Sequence, residues 1–302
     1  MPTSDATEHW FFESDIPGKR SGRVRHGLLI DRLIYEGVTP YQKIMIFRNP
    51  TYGRVLCLDD IVQFSESDEF VYHEMIVHPL LFSHPKPENI LIIGGGDGGA
   101  LKQVLKHPVR RVDLVEIDRE VIAVSKTHLK FVSENAFSDK RVAIHHLSGQ
   151  DFLKKCDTRY DVIIVDCTNS GENAMSNALY ATKFYRQADN VLNNDGMLIT
   201  LGSALMDFDG GIKPVLRRIG TVFPFSQVLR FCMASYHCGE YAFIIGSRTI
   251  DLKQTDPGKL YRRFVAAAES HAFAYYSPDM HRAGLALPPV LTAKIKKMKQ
   301  AQ

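Results

Sequence analysis

Over the first 65 residues, apolar side chains alternate with polar ones or gather in short β-branched clusters, at 27–35, 42–47 and 54–58. Turn pairs separate them: Thr39-Pro40, Asn49-Pro50 and Tyr52-Gly53. This pattern predicts a small antiparallel β domain over 1–65, marginal alone and therefore packed on its neighbour or on another subunit. At residue 68 the period changes. Phe70, Val71, Met75, Val77, Leu80 and Leu81 recur at helical spacing and predict a helix over 68–82, with Ser67 or Asp68 as N-cap. The stretch Ser83-His84-Pro85-Lys86-Pro87 ends it. Strand-length apolar runs then follow at 90–93, 111–118, 141–147, 160–166, 196–203, 228–233 and 241–247. Helical stretches lie between them, near 101–107, 119–129, 150–156, 181–191 and 212–222. Alternation of this kind makes 66–302 a doubly wound α/β sheet, mostly parallel, of the Rossmann-like kind. No internal repeat or low-complexity segment interrupts it.

Composition narrows the function classes. The 302 residues are 45% hydrophobic and 24% charged, ordinary for a globular chain. A net charge of +3 is too small to argue for nucleic acid. Lys294, Lys296, Lys297 and Lys299 read as a solvated helix end rather than a binding patch. Cys57, Cys156, Cys167, Cys232 and Cys238 show no metal or redox spacing. They fit free thiols in a reducing cytoplasm, with no zinc. The N-terminal stretch lacks a signal-peptide pattern, and no run is long enough to span a bilayer. No membrane partner is expected.

The chemistry gathers around Ile90-Leu91-Ile92-Ile93-Gly94-Gly95-Gly96-Asp97-Gly98-Gly99. A strand that feeds a glycine turn and then a helix is the opening unit of a nucleotide-binding sheet. Gly94-x-Gly96-x-x-Gly99 also fits the dinucleotide fingerprint, a weak signal alone. Asp97 argues against a dinucleotide, because its carboxylate would repel a pyrophosphate. A sulfonium nucleoside of the S-adenosylmethionine type suits it better, and an oxidoreductase is the weaker reading. Ligands of such sheets sit beyond the carboxyl ends of the strands. That rule groups Asp97, Glu116, Ser148-Gly149 and Asp166. Asp166 ends the run Val162-Ile163-Ile164-Val165, where a carboxylate has either a helix to cap or a cation to meet.

These residues carry a resemblance that runs from about Trp10 to Pro289. The chain resembles the spermidine synthase family of aminopropyltransferases in Tyr52-Gly53-Arg54-Val55, Val62-Gln63, Asp68-Glu69-Phe70-Val71-Tyr72-His73-Glu74-Met75, Gly94 through Gly99, Val115-Glu116-Ile117-Asp118, Asp161 through Asp166, and Tyr276-Ser277-Pro278 with His281 and Leu287-Pro288. The resemblance implies a β domain preceding a class I methyltransferase-like sheet, and a homodimer or homotetramer. It implies aminopropyl transfer from decarboxylated S-adenosylmethionine, as co-substrate, to a diamine or polyamine, with methylthioadenosine released. No prosthetic group and no metal are implied. Gln42 and Glu116 would hold the ribose, and Ser148 and Gly149 would lie at the adenine. His73 and Asp97 would face the amine-bearing chain, with Gln63, Gly94 and Gly96 also on the donor side. Asp166 would be the catalytic acid, and Tyr72 and Tyr236 would line the acceptor channel.

The charges agree with that expectation. The donor is a dication, and the acceptor amine, with a reference pKa of about 10.4, arrives protonated. Passing its proton to a carboxylate of pKa near 4 is uphill by about 8–9 kcal/mol. Burial is therefore expected to raise Asp166 and lower the amine. The chain departs from the family pattern on the acceptor side. Asn169 stands where a second acid is usual and would touch the acceptor. The loop Cys167-Thr168-Asn169-Ser170-Gly171-Glu172-Asn173 lacks prolines, Leu201 replaces a glutamine, and Ala234-Ser235-Tyr236 replaces Pro-Thr-Tyr. The acceptor need not be putrescine. Two other readings follow: an amine N-methyltransferase using intact S-adenosylmethionine on the same scaffold, or a catalytically weak homologue.

Overall fold

The computed structural model describes residues 9–13, 25–167 and 178–300. The β-rich segment forms two sheets. β1 (Trp10–Phe12) pairs antiparallel with β2 (Gly27–Leu29). β3 (Arg32–Val38), β4 (Lys43–Asn49), β5 (Gly53–Leu58) and β6 (Ile61–Ser65) form an antiparallel meander. The sequence reading of 27–35 as one strand is therefore corrected. The chain bends at Ile30-Asp31, so its first half meets β1 and its second half meets β4. The sequence reading also lacked β1 and β6. β6 follows a two-residue turn in which Asp59 and Asp60 both adopt positive φ, the backbone a tight hairpin requires. Acidic residues tolerate that conformation less readily than Asn-Gly, so the turn left little trace in the sequence.

α1 (Glu69–Ser83) follows, and all of it except Phe70 is buried. It packs against α2 (Gly99–Leu105) and the main sheet. The main sheet has seven strands in the order β12-β13-β11-β10-β7-β8-β9, namely Phe225–Cys232, Glu240–Ser247, Leu192–Ala204, Tyr160–Asp166, Asn89–Gly94, Arg111–Val115 and Val142–His145. β11, β10, β7, β8 and β9 run parallel, while β13 is antiparallel to both β11 and β12. α3 (Arg119–His128), α4 (Lys130–Ser133), α5 (Gly149–Lys155), α6 (Thr182–Asn190) and α7 (Lys213–Gly220) connect the strands. α8 (Pro257–Ala268), α9 (Pro278–Leu285) and α10 (Pro289–Gln300) complete the chain.

Central strands read as continuous apolar runs because both faces are covered. Ile90, Ile92, Val162 and Ile164 lie in one core with α1, while Leu91, Ile93, Ile163 and Val165 lie in the other with α6 and α7. The order reverses beside β7, since the chain moves from β7 to β8 and β9 on one side and to β10 and β11 on the other. That reversal opens a crevice at the carboxyl ends of the strands. The meander roofs it. No helix among the described residues is long and apolar enough to cross a membrane.

Candidate active site

A cavity of about 340 Å³ fills that crevice. Gln42, Gln63, Tyr72, His73, Gly94, Gly96, Asp97, Glu116, Ser148, Gly149, Asp166 and Tyr236 all line it. Asn169 lies outside the described residues. Leu56, Leu58, Phe64, Val115, Ile117, Val121, Leu147, Leu179 and Leu201 supply apolar wall, none of it singled out from the sequence except Leu201. An apolar wall with few convergent polar groups is usual for a small-molecule pocket. Here it also weakens solvent screening around the acids.

Asp166 closes β10 and is pinned by its backbone. Its carbonyl accepts from the Gly95 N–H at 2.8 Å. The approach is so close that a Cβ on Gly94, where φ is +83°, would stand 2.0 Å from that carbonyl oxygen. Tyr72 donates its hydroxyl to Asp166 Oδ1 at 2.9 Å, whereas Oδ2 is buried with no hydrogen-bond partner among the described residues. Burial, then the charge of Asp97, pushes the Asp166 carboxyl up to about 7, against the pull of His73 and the Tyr72 hydroxyl. An amine proton transferred to such a group climbs about 3 pKa units, roughly 4–5 kcal/mol, instead of the 8–9 expected from an ordinary carboxylate.

Asp97 sits in the glycine turn. Its Oδ1 accepts from the Gly99 N–H at 2.7 Å and faces His73 Nε2 at 3.2 Å. On the far side of the ring, His73 Nδ1 meets Glu69 Oε2. Burial opposes a charge on His73, but Asp97 and Glu69 outweigh it and hold the ring up to about 10. Asp97 shows the converse: burial raises it, and the His73 cation with the Gly99 N–H brings it below the usual carboxylate range. The fit depends on Gly99, since a Cβ there would lie 2.3–2.4 Å from the His73 ring atoms. His73 is only 1% exposed. It is a buried counter-charge to Asp97.

Glu116 follows β8, and its Oε1 accepts from the Asp118 N–H at 2.9 Å. Burial, reinforced by Asp118 and Asp97, raises its carboxyl to about 7 despite two backbone N–H bonds. From the roof, the Gln42 amide donates to Asp118 Oδ2 at 3.0 Å, beside the Thr39 hydroxyl, which donates to the same oxygen at 2.7 Å. Asp118 Oδ1 caps α3 through the Glu120 N–H. Gln63 donates to the Ile61 carbonyl, and Tyr236 donates to the Gln63 carbonyl at 2.7 Å.

Two side chains, at the cavity edge and at the N-cap of α1, are engaged within the protein. Ser148 caps α5 by accepting from the Asp151 N–H at 3.1 Å, and its hydroxyl donates to Asp151 Oδ2 at 2.8 Å. Its hydroxyl is thus engaged with α5, while Ser148 and Gly149 line the cavity. Asp68 precedes α1, but its carboxylate makes no cap. It binds Ser65, the Ser235 hydroxyl and the Ser235 N–H, tying the Tyr236 loop to the roof.

His73, Asp97 and Asp166 stand close enough to share a metal, as do His84, Asp161 and Asp195. In the first group, both ring nitrogens already face carboxylates. In the second, His84 Nδ1 accepts from the Lys86 N–H, so Nε2 carries the proton, and Asp161 is taken by three protein donors. The donor chemistry of both groups is that of internal ion pairs and hydrogen bonds.

Fold and cavity together define a Rossmann-like protein with a class I methyltransferase-type sheet and an acid-lined crevice at the strand ends. A family model described as "Spermine/spermidine synthase domain" matches residues 69–255, and one described as "Spermidine synthase tetramerisation domain" matches residues 9–66. The chain is 36% identical to a polyamine aminopropyltransferase of Ruegeria sp. (strain TM1040), over 86% of this chain and 91% of that one. It is 34% identical to the spermidine synthase of Schizosaccharomyces pombe, over 86% of each. The crystal structure of spermidine synthase in complex with the transition state analogue AdoDATO superposes with a TM-score of 0.87 at 34% identity, covering 100% of this chain and 98% of that one. The chain belongs to the spermine/spermidine synthase family.

Proposed function

We propose that this enzyme is a polyamine aminopropyltransferase. It moves an aminopropyl group from decarboxylated S-adenosylmethionine to a diamine or polyamine and releases methylthioadenosine. The observation that carries this reading is Asp166 Oδ2, a buried carboxylate oxygen with no hydrogen-bond partner among the described residues, on an acid held up to about 7 beside ionised Asp97. An unsatisfied buried acceptor is expensive unless a ligand donor meets it. The N–H of an acceptor ammonium is such a donor.

The chemistry follows. Gln42 and Glu116 take the ribose hydroxyls, the Ser148-Gly149 backbone with Gly94 and Gly96 borders the nucleoside, and Asp97 takes the donor's ammonium. The acceptor enters between Tyr72, Gln63 and Tyr236. Its ammonium gives one proton to Asp166, and the freed lone pair attacks the methylene beside sulfur. The C–N bond forms as the C–S bond breaks, and the electron pair stays on sulfur as a neutral thioether. Positioning supplies much of the rate, because both reactants are cations that water would keep apart. Intact S-adenosylmethionine would bring a carboxylate to ionised Asp97, which weighs against the methyltransferase reading.

On the acceptor side, Leu201 is apolar and Asn169 lacks a charge, so an acceptor other than putrescine is part of the proposal. The match of 9–66 to the tetramerisation model supports a homodimer or homotetramer built through the β-rich segment, with 66–302 as the catalytic unit. The described cysteines form no disulfide, in keeping with the cytoplasm. Incubating a panel of diamines and polyamines with each donor, and reading products by mass, tests the reading. It expects gain of an aminopropyl unit from the decarboxylated donor. Methyl gain from the intact donor, or no product from any amine, overturns it. Asn169→Asp is expected to improve putrescine use.

A further inference from the structure

The cavity's acids are linked to the surface by a file of alternating charges. Asp97 Oδ1 meets His73 Nε2 at 3.2 Å, His73 Nδ1 meets Glu69 Oε2, and Glu69 Oε1 meets Lys102 Nζ at 3.6 Å. Lys102 also donates to the Phe131 carbonyl at 3.1 Å and lies 3.7 Å from Glu134, which is largely exposed. Glu69 lines no part of the cavity and is 6% exposed.

The geometry settles the state of the ring. A neutral imidazole has one N–H, so one of two flanking carboxylates would face a lone pair at hydrogen-bond distance. Between two ionised carboxylates, only the imidazolium satisfies both. Phe64 and Tyr72 pack their rings at 5.6 and 5.5 Å from His73, and Asp166 offers an oxygen within 4.8 Å of its nearest atom. Glu69, Asp97 and Asp166 are therefore the ionised or ionisable groups facing His73, with Lys102 behind Glu69. Asp166 itself is faced by Tyr72, Asp97 and His73.

We infer that Glu69 is a positioning residue for this reaction: it keeps His73 doubly protonated, so that Asp97 stays ionised and in place while Asp166 remains the group that exchanges a proton near neutral pH. Without Glu69, a single carboxylate would have to support a fully buried cation, and His73 would lose its proton. The Asp97–Asp166 pair would then lack its counter-cation and would hold a proton to higher pH, leaving Asp166 less ready to accept one. This role rests on the aminopropyl-transfer reading; the charge on His73 does not.

The test has two parts. In the ligand-free wild type, nitrogen chemical shifts of His73 are expected to report an imidazolium from pH 6 to 8.5. In Glu69→Gln the ring is expected to titrate inside that window. The acidic limb of the kcat/KM profile is expected to move up by about one pH unit, which lowers the rate at pH 6.5 about tenfold relative to the plateau. Glu69→Asp, which keeps the charge, should return part of that shift. A neutral His73 in the wild type at pH 7.5 overturns the inference, even if the variant does not fold. A lower plateau with an unmoved limb also overturns it, since that is the mark of a merely structural glutamate. Failure of every amine to accept an aminopropyl group, with His73 charged, would instead remove the functional reading and leave the file of charges standing.

Discussion

The floor and the roof of the cavity are built on different principles. The floor is held by backbone. Asp166 is fixed through its own carbonyl to Gly95, Asp97 through the Gly99 N–H, and Glu116 through the Asp118 N–H, all at the ends of strands buried on both faces. The roof is held by side chains reaching across the fold: Gln42 and Thr39 to Asp118, Tyr236 to Gln63, and Asp68 to Ser235. A floor of this kind can present carboxylates without yielding, while a roof of single hydrogen bonds can be rebuilt at small cost. The departures in sequence cut across that division: Leu201 lies on β11, Ala234 and Ser235 follow β12, and Asn169 follows β10 in the sequence, all on the side proposed for the acceptor.

The comparison can be broken first at the floor. Asp166→Asn keeps shape and the Tyr72 contact but loses the proton acceptor. Turnover is expected to fall 10²–10⁴-fold with donor affinity changed by only a few-fold, measured by product mass and calorimetry. Unchanged turnover would remove Asp166 from the chemistry. Gly99→Ala forces a methyl into the His73 ring and is expected to destabilise the fold by about 1–3 kcal/mol and to weaken donor binding together with it, seen in thermal unfolding with and without donor. At the roof, effects should be smaller. Tyr236→Phe loses one hydrogen bond of about 0.5–1.5 kcal/mol, so acceptor KM is expected to rise roughly two- to tenfold with kcat nearly constant. Ser148→Ala removes a helix cap. It should lower stability by about 1 kcal/mol and leave donor affinity nearly unchanged, in contrast to a side chain that binds adenine.

The floor was legible because its signals are local. A glycine run after a buried strand, and acids at the tips of two others, need only chain order and the strand-end rule to be brought together. The meander was half legible: its alternation showed, but the bend at Ile30-Asp31 and the turn at Asp59-Asp60 depend on which strands pair. Glu69 was hidden for a different reason. Glu69 and His73 project from the opposite side of α1 to Glu74 and His78, so the polar residues mark no single face, and α1 is covered nearly all round. Glu74 is spent on the N–H groups of Ala274, Tyr275 and Tyr276, some 200 residues away. The i, i+4 spacing of Glu69 and His73 was the one available clue. Ser148 was legible by position, since it lines the cavity, but the sequence reading did not show that its hydroxyl serves α5.

The central claim is that the crevice presents two acids, Glu116 and Asp166, raised to about 7, to a doubly positive nucleoside. Each has a raised folded-state pKa, so each binds a proton below pH 7 that a dication must expel. Calorimetric titration of decarboxylated S-adenosylmethionine from pH 5.5 to 8.5, in buffers of different ionisation heat, measures this directly. Affinity is expected to tighten as pH rises through about 7, with protons released to buffer below it, and to exceed that of intact S-adenosylmethionine throughout. An affinity flat in pH with no proton release, or tighter binding of the intact donor, would contradict the account.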